Sequence, residues 1–199
     1  MSTSITTEEA DRQDMSRLAA GQEGGLAALM TRHGERLFHY LCRLLQDEEE
    51  AADLAQETFV RVYQHCERFD RRRKFTTWLY AIATNLARDR ARWRSRHPTV
   101  SLQAESVATG AELQSSLPSH EADPHETLVA EERAAWVREA IAALPEDLRA
   151  PLVLAEYEGL SQADIGEVLG CSAKAVEVRL YRARLRLRAR LQPLVAQFA

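Results

Sequence analysis

No stretch of this chain can serve as a membrane-spanning helix. A span takes roughly 18–20 apolar residues in succession, and every apolar run here is broken far sooner. The N-terminus, MSTSITTEEADRQD, has no apolar core and reads as no secretory signal. Cysteines number only three, an odd and sparse count that excludes a disulfide framework and fits a reducing cytosol. The alternating pattern of β-strands is absent, as are a glycine-rich phosphate loop and a plausible nucleophile–base pair. Net positive charge is also missing. Lys and Arg total 26 against 30 Asp and Glu, for a formal charge of −4, and a pI near 5.9 speaks at first against nucleic-acid binding. What remains is a 199-residue chain, 45% hydrophobic, sized for one large domain or two small ones.

The average charge conceals a pattern. Residues 1–70 carry a net −7, residues 71–96 a net +8, residues 97–170 a net −11 and residues 171–199 a net +6. Sixteen of the 26 cations therefore lie in two short blocks almost a hundred residues apart. Blocks this dense attract polyanions locally, whatever the charge of the whole chain. In the first block, Phe75, Trp78, Tyr80 and Trp93 interleave with Arg71, Arg72, Arg73, Lys74, Arg88, Arg90, Arg92, Arg94 and Arg96. Aromatics that stack on unpaired bases, beside guanidinium groups that track the backbone, suit single-stranded DNA. Asn85 offers an amide for an adenine edge. By contrast, Asp47–Glu57 holds six acids and no base, and Asp53, Gln56 and Glu57 share about one helical turn. That patch is either solvated or docks a basic protein surface.

Ala, Leu, Arg and Glu dominate, so the chain reads as all-helical. Residues 1–15 are expected to be a disordered tail, and 16–46 to carry a helical apolar stripe through Leu26, Leu29, Met30, Leu37, Leu41, Leu44 and Leu45. Asp47, with Glu50 three residues on, predicts a capped helix running to about Cys66. A Thr at 76 or 77 is expected to cap the next helix, which His97-Pro98 ends. Residues 98–125, with Pro98, Pro118, Pro124 and five serines, form a linker. Helical signal resumes near Glu126, Pro145 starts a further helix, and Gly159 is positioned to stop it. Two compact helical domains on an acidic tether is the expected organisation.

The C-terminal run, a short capped helix, a glycine turn and a longer helix from about Ala173 to Leu191, has the helix-turn-helix pattern. At about 100° per residue, Val176, Leu180, Ala183, Leu187 and Leu191 fall on one buried stripe. Lys174, Val178, Tyr181 and Leu185 face the other way, with Glu177 and Arg182 at the shoulders. Val178 and Tyr181 suit thymine methyls and sugar edges. Arg179, Arg184, Arg186, Arg188 and Arg190 flank them within reach of phosphates.

Three runs, DEEEAADLAQETFVRVYQH (47–65), FTTWLYAIATNLARDRAR (75–92) and LPEDLRAPLVLAEYEGLSQADIGEVLGCSAKAVEVRLYRARLRLR (144–188), together resemble the extracytoplasmic-function group of bacterial RNA polymerase sigma factors. The resemblance implies a sigma-2 domain over 16–97, a linker over 98–125 and a sigma-4 domain over 126–195. It implies that Asp53, Gln56 and Glu57 meet the clamp helices of the polymerase β′ subunit and that the sigma-4 domain works beside the β flap. The −10 element falls to Arg71, Arg72, Arg73, Lys74, Trp78, Asn85, Arg88 and Arg92, with Phe69–Arg73 as the loop that captures a flipped base. The −35 element falls to Lys174, Glu177, Val178, Arg179, Tyr181, Arg182, Arg184 and Arg186. An anti-sigma factor is a common partner in the group, no cofactor is implied, and the implied location is the bacterial cytoplasm. The tether, by the same resemblance, threads the polymerase near the template strand, either as an acidic mimic of nucleic acid or as a soluble spacer.

At Glu177 the family often carries Lys or Arg. A carboxylate there either accepts from a cytosine amino group or orients Arg182. Two rival readings leave residues unexplained. A dimeric helix-turn-helix regulator working without polymerase has no use for the 71–96 block or the 47–57 acids. A metal protein built on His39, Cys42, His65 and Cys66 lacks a recognised zinc spacing.

Overall fold

The computed structural model describes residues 6–22, 24–97 and 124–195, and among them every regular element is helical. The linker expected over 98–125 lies outside the described residues up to 123, as do residues 1–5 of the expected tail.

From Thr6 onward the expected tail is replaced by a helix, α1 (Thr7–Ala19), opened by a reciprocal capping box between Thr6 and Glu9. Hydrophobicity alone hides this helix, because polar groups fix it to the fold. Asp11 and Asp14 are buried beside Met15 and Leu18. Arg32 bridges both carboxylates, at 2.8 Å to Asp14, and His33 Nε2 lies 2.8 Å from Asp11. Buried carboxylates persist only with such partners.

The stripe expected through 16–46 is thus broken by a turn, and α2 runs Gly24–Leu45. Leu29, Leu37 and Leu41 are fully buried, each worth about 1.5–3 kcal/mol. Met30, placed on that stripe by spacing, is exposed.

Asp47 caps α3 (Glu48–Gln64) as expected, its carboxylate accepting from the Glu50 N–H at 3.0 Å. A 3₁₀ turn, Cys66–Arg68, leads on to α4 (Phe75–Arg96). No threonine caps α4. Lys74 is its N-cap residue without a side-chain bond, and the Thr77 hydroxyl is buried with no partner among the described residues.

In the C-terminal half, α5 (Pro124–Ala142) and α6 (Glu146–Glu156) precede α7 (Gln162–Leu169) and α8 (Ala173–Val195). Ser161 caps α7, and Gly170 ends it in the left-handed conformation, φ +67°. Gly166 allows the tight α7–α8 turn, since a Cβ there would lie 2.7 Å from the Cys171 carbonyl oxygen.

The two halves are not separate beads. α4 packs on α7, and α2 on α5 and α6, so that one apolar core runs from Met15 through Tyr40 and Leu79 to Ile165 and Leu180.

Candidate nucleic-acid and protein interfaces

On α8 the expected faces are present. Val176, Leu180 and Ala183 are buried, while Val178, Tyr181 and Leu185 are 39%, 68% and 56% exposed. The exposed row has the 3–4 residue spacing of one helix face. Lys174 closes on Glu177 with both carboxylate oxygens at 2.9 Å. In the free protein Glu177 therefore holds Lys174 rather than Arg182. Arg182 and Arg186 are exposed and make no ion pair among the described residues. Arg179 lies along the turn, with Nη1 3.6 Å from Cys171 Sγ, and Arg184 pairs with Glu156 at 2.7 Å.

The 71–96 block is divided by the fold. Phe75 and Tyr80 are buried, and Trp78 is half-buried, its ring 5.2 Å from that of Phe69. Three of the four aromatics expected to stack on bases thus spend most of their surface on the core. Arg71 and Arg72 are exposed, as is Asn85. Arg73 pairs with Glu167 at 2.8 Å and Lys74 with Asp164 at 3.0 Å. The hydrogen bond to Asp164 raises the Lys74 pKa. Burial works to raise that of Asp164, but hydrogen bonds from Ser161 and Lys74 outweigh it and hold the carboxyl below its usual range. Arg88 reaches Glu146 at 3.6 Å, and Arg92 reaches Asp89 at 3.2 Å.

Arg90 and Arg94 do not serve a DNA face in this form. Both turn to the nearly buried Glu50 at the start of α3, Arg90 at 3.7 Å, with Arg94 also 3.3 Å from Asp47. A buried carboxylate claims the nearest cations, and Arg90 and Arg94, one turn apart on α4, become a strut against α3.

Asp53, Gln56 and Glu57 do come together. With Leu54, Val60, Leu86, Asp89, Arg90 and Trp93 they line an open groove of about 480 Å³ between α3 and α4. Glu57 is steadied by Arg61 at 2.8 Å. Trp93, 51% exposed, stacks on His97 and lines this groove. Sequence reasoning grouped Trp93 with the base-stacking aromatics. The seven-residue step from Leu86 to Trp93, two helical turns along the same face, is the signal that could have placed it here.

Among the described residues no group of three or more His, Cys, Asp or Glu side chains is placed to hold a metal ion. His39 instead has Nε2 3.8 Å from Glu35. Burial pushes the Cys42 thiol up to about 11, away from the thiolate a metal would need.

Among the described residues, the exposed apolar row on basic α8 and the acidic groove between α3 and α4 are surfaces suited to recognition, as in a DNA-binding factor that works beside a protein partner. Region 2 of the sigma-70 family matches residues 29–97, and sigma-70 region 4 matches residues 134–187. The RNA polymerase sigma-H factor of Pseudomonas aeruginosa is 35% identical over 97% of this chain and 100% of its own length. The extracytoplasmic-function sigma factor SigW of Bacillus subtilis is 33% identical over 92% of this chain and 97% of its own. Among solved structures, CnrH in complex with the cytosolic domain of CnrY is similar with a TM-score of 0.66 at 28% identity, over 92% of this chain and 98% of CnrH. The sigma factor RpoE of Bartonella quintana, solved with the anti-sigma factor NepR, shares the fold at 23% identity and a TM-score of 0.66, over 83% of this chain and 96% of that one. The chain belongs to the sigma-70 family, in its extracytoplasmic-function group. It is an alternative sigma factor, which binds core RNA polymerase and promoter DNA and directs transcription initiation. Sigma factors are not enzymes, and the polymerase performs the chemistry.

Proposed function

We propose that three surfaces divide this work. The α8 face of Lys174, Glu177, Val178, Arg179, Tyr181, Arg182, Arg184 and Arg186 reads the −35 element. The loop and helix bearing Arg71, Arg72, Arg73, Lys74, Trp78, Asn85, Arg88 and Arg92 bind the −10 element and help to open it. Asp53, Gln56 and Glu57 dock on the β′ clamp helices, with Trp93 as an apolar anchor in the same groove, and the C-terminal half works beside the β flap. The domains assigned are a sigma-2 unit ending at 97, which takes in α1, a linker over 98–125 and a sigma-4 unit over 126–195.

The observation that carries this reading is the row of exposed apolar side chains on α8. Val178 and Tyr181 have no packing reason to be there, and a solvated helix face is ordinarily polar. Against thymine methyls and sugar edges they gain the contacts that water denies them. Protein work in the bacterial cytoplasm fits a chain with three free cysteines and, among the described residues, no helix long and apolar enough to cross a membrane. An anti-sigma factor is the third proposed partner, in keeping with CnrH, which is likewise solved in complex with a second protein.

The test is transcription by added core polymerase on a library of randomised promoters. Recovery of two conserved blocks, with starts at a fixed distance downstream, is the expected result. Operator binding without core polymerase, and no directed starts with it, would instead favour a plain helix-turn-helix regulator.

A further inference from the structure

Helix α1 has no part in the three recognition surfaces, and it lies ahead of residues 29–97, the span that region 2 matches. Yet the fold sets it against both flanks of the −10 loop. It packs on the 3₁₀ turn Cys66–Arg68, just before Phe69, and on α4, which begins at Phe75 just after Lys74. Asp11 on this helix is buried, and so is His33 on α2. One oxygen of Asp11, Oδ1, takes the Arg32 guanidinium and also lies 2.8 Å from His33 Nε2. Beside that guanidinium the carboxylate only accepts, so Nε2 donates.

The imidazole fixed in this way is 5.2 Å from the Phe75 ring, and Phe75 is 6.2 Å from Phe69 and 6.3 Å from Trp78. Phe69 and Trp78 close the cluster at 5.2 Å. Both residues that bracket the loop, Phe69 and Phe75, are therefore rooted in one buried aromatic cluster. Between them the loop is tied to itself: the Asp70 carboxylate accepts from the Arg72 N–H at 3.0 Å, and the Asp70 carbonyl from the Arg73 N–H at 2.9 Å. Close-packed rings pass a displacement on, because there is no free space to absorb it.

We propose that Asp11 is a positioning residue for the −10 element: through His33 and Phe75 it sets the place of the Phe69–Lys74 loop and of the half-buried Trp78. The effect on promoter reading rests on the assignment of that loop to the −10 element; the mechanical brace does not. Asp14 supplies the contrast. It is buried on the same helix and pairs with Arg17 at 3.2 Å and with the same Arg32 at 2.8 Å, but has no bond to His33 among the described residues. Met15 and Leu18 keep α1 in the core when either carboxylate is removed.

Four variants of the full chain separate the brace from simple anchoring of α1. Asp11→Ala removes the acceptor, His33→Leu removes the ring that carries the contact, and Asp14→Ala removes a comparably buried carboxylate. Asp11→Asn keeps an acceptor oxygen and serves as the rescue. The first readout uses no DNA. The chain has three tryptophans, so a nitrogen-15 correlation spectrum resolves few indole N–H signals. Asp11→Ala and His33→Leu should move that of Trp78 and leave that of Trp93, whereas Asp14→Ala and Asp11→Asn should leave both.

The second readout is transcription by added core polymerase on promoters randomised at the start-proximal element. Asp11→Ala and His33→Leu should each lose about fivefold in discrimination there, and the two combined no more than either alone. Their −35 preference and core affinity should match the wild type, and Asp11→Asn should stay within about twofold of it. An unmoved Trp78 signal in Asp11→Ala, or an equal shift in Asp14→Ala, would overturn the brace. A moved signal with unchanged discrimination would overturn its part in promoter reading. A wild type that selects no start-proximal block would overturn the −10 assignment, and the effect of the brace with it, whatever the Trp78 signal does. Should Asp11→Ala fail to fold, His33→Leu carries the same prediction with α1 intact.

Discussion

At the scale of single residues, charge partners decide what a side chain is free to do. Glu177 was expected either to meet a base or to orient Arg182, and in the free protein it holds Lys174 instead. On DNA, that exposed pair costs little to break, since such pairs are worth about 0–1 kcal/mol. The carboxylate then excludes acceptor-rich guanine edges and favours a cytosine amino group. Glu177→Arg should therefore change the preferred −35 sequence, and identical preferences selected from randomised promoters would contradict that. Cys42 is a second case. Burial raises its thiol to about 11, so at pH 8 very little of it is thiolate. Alkylation followed by peptide mapping should find Cys42 nearly inert at pH 8 and increasingly reactive as pH rises towards 11. Rapid labelling at pH 8 would show the site to be more open than its packing allows.

At the scale of elements, α4 has two sides with different duties. Its helical character and its end at His97 were legible in the sequence, because helix propensity and a following proline act over a few residues. The duty of each arginine was not. Arg94 binds Glu50 and Asp47, more than forty residues away in the chain, and no local pattern encodes that. Arg94→Ala leaves the buried Glu50 with Arg90 alone and loosens α3 beneath Asp53, Gln56 and Glu57. It should weaken binding to core polymerase several-fold. Arg92→Ala should leave core binding unchanged and lower the salt dependence of promoter binding by about one phosphate contact. Equal effects of the two on core binding, measured by fluorescence anisotropy, would remove the division between the two sides. The same contrast explains α1. Its polar, acidic sequence reads as a tail, and Arg32 and His33, a helix away, together with Arg17 on α1 itself, make Asp11 and Asp14 tolerable inside.

At the scale of the whole molecule, the contacts between the halves are unequal. Arg73–Glu167 and Lys74–Asp164 are largely exposed and weaken as the Debye length falls from about 10 Å at 0.1 M salt to about 3 Å at 1 M. The shared apolar core does not respond in that way. Arg149 is half-buried, its pKa lowered by that burial, and it donates to the carbonyls of Leu44 and Leu144. Its loss should cost about 1.5–3 kcal/mol. The wild-type chain should therefore stay compact in 1 M salt, whereas Arg149→Ala should expand at 0.1 M, as read by small-angle scattering. Expansion of the wild type by salt alone would put the holding energy in the surface pairs instead.

The sequence by itself determined the helical class, the two basic blocks, the cap at Asp47, the short capped helix and glycine turn before α8, and the outward face of α8. Each of these is set by neighbours within about one or two turns, where spacing along the chain is spacing in space. Only the tertiary structure decided that Phe75 and Tyr80 are core, that Trp93 belongs with Asp53 and Gln56, and that Arg73, Lys74 and Arg88 already have partners. Those outcomes depend on which surfaces meet across long stretches of chain, 94 residues for Arg73 and Glu167 and 90 for Lys74 and Asp164. The net charge of −4 shows the same limit. Its distribution along the chain separates DNA-seeking blocks from acidic surfaces, but that the acids lie upon the blocks is a fact of packing alone.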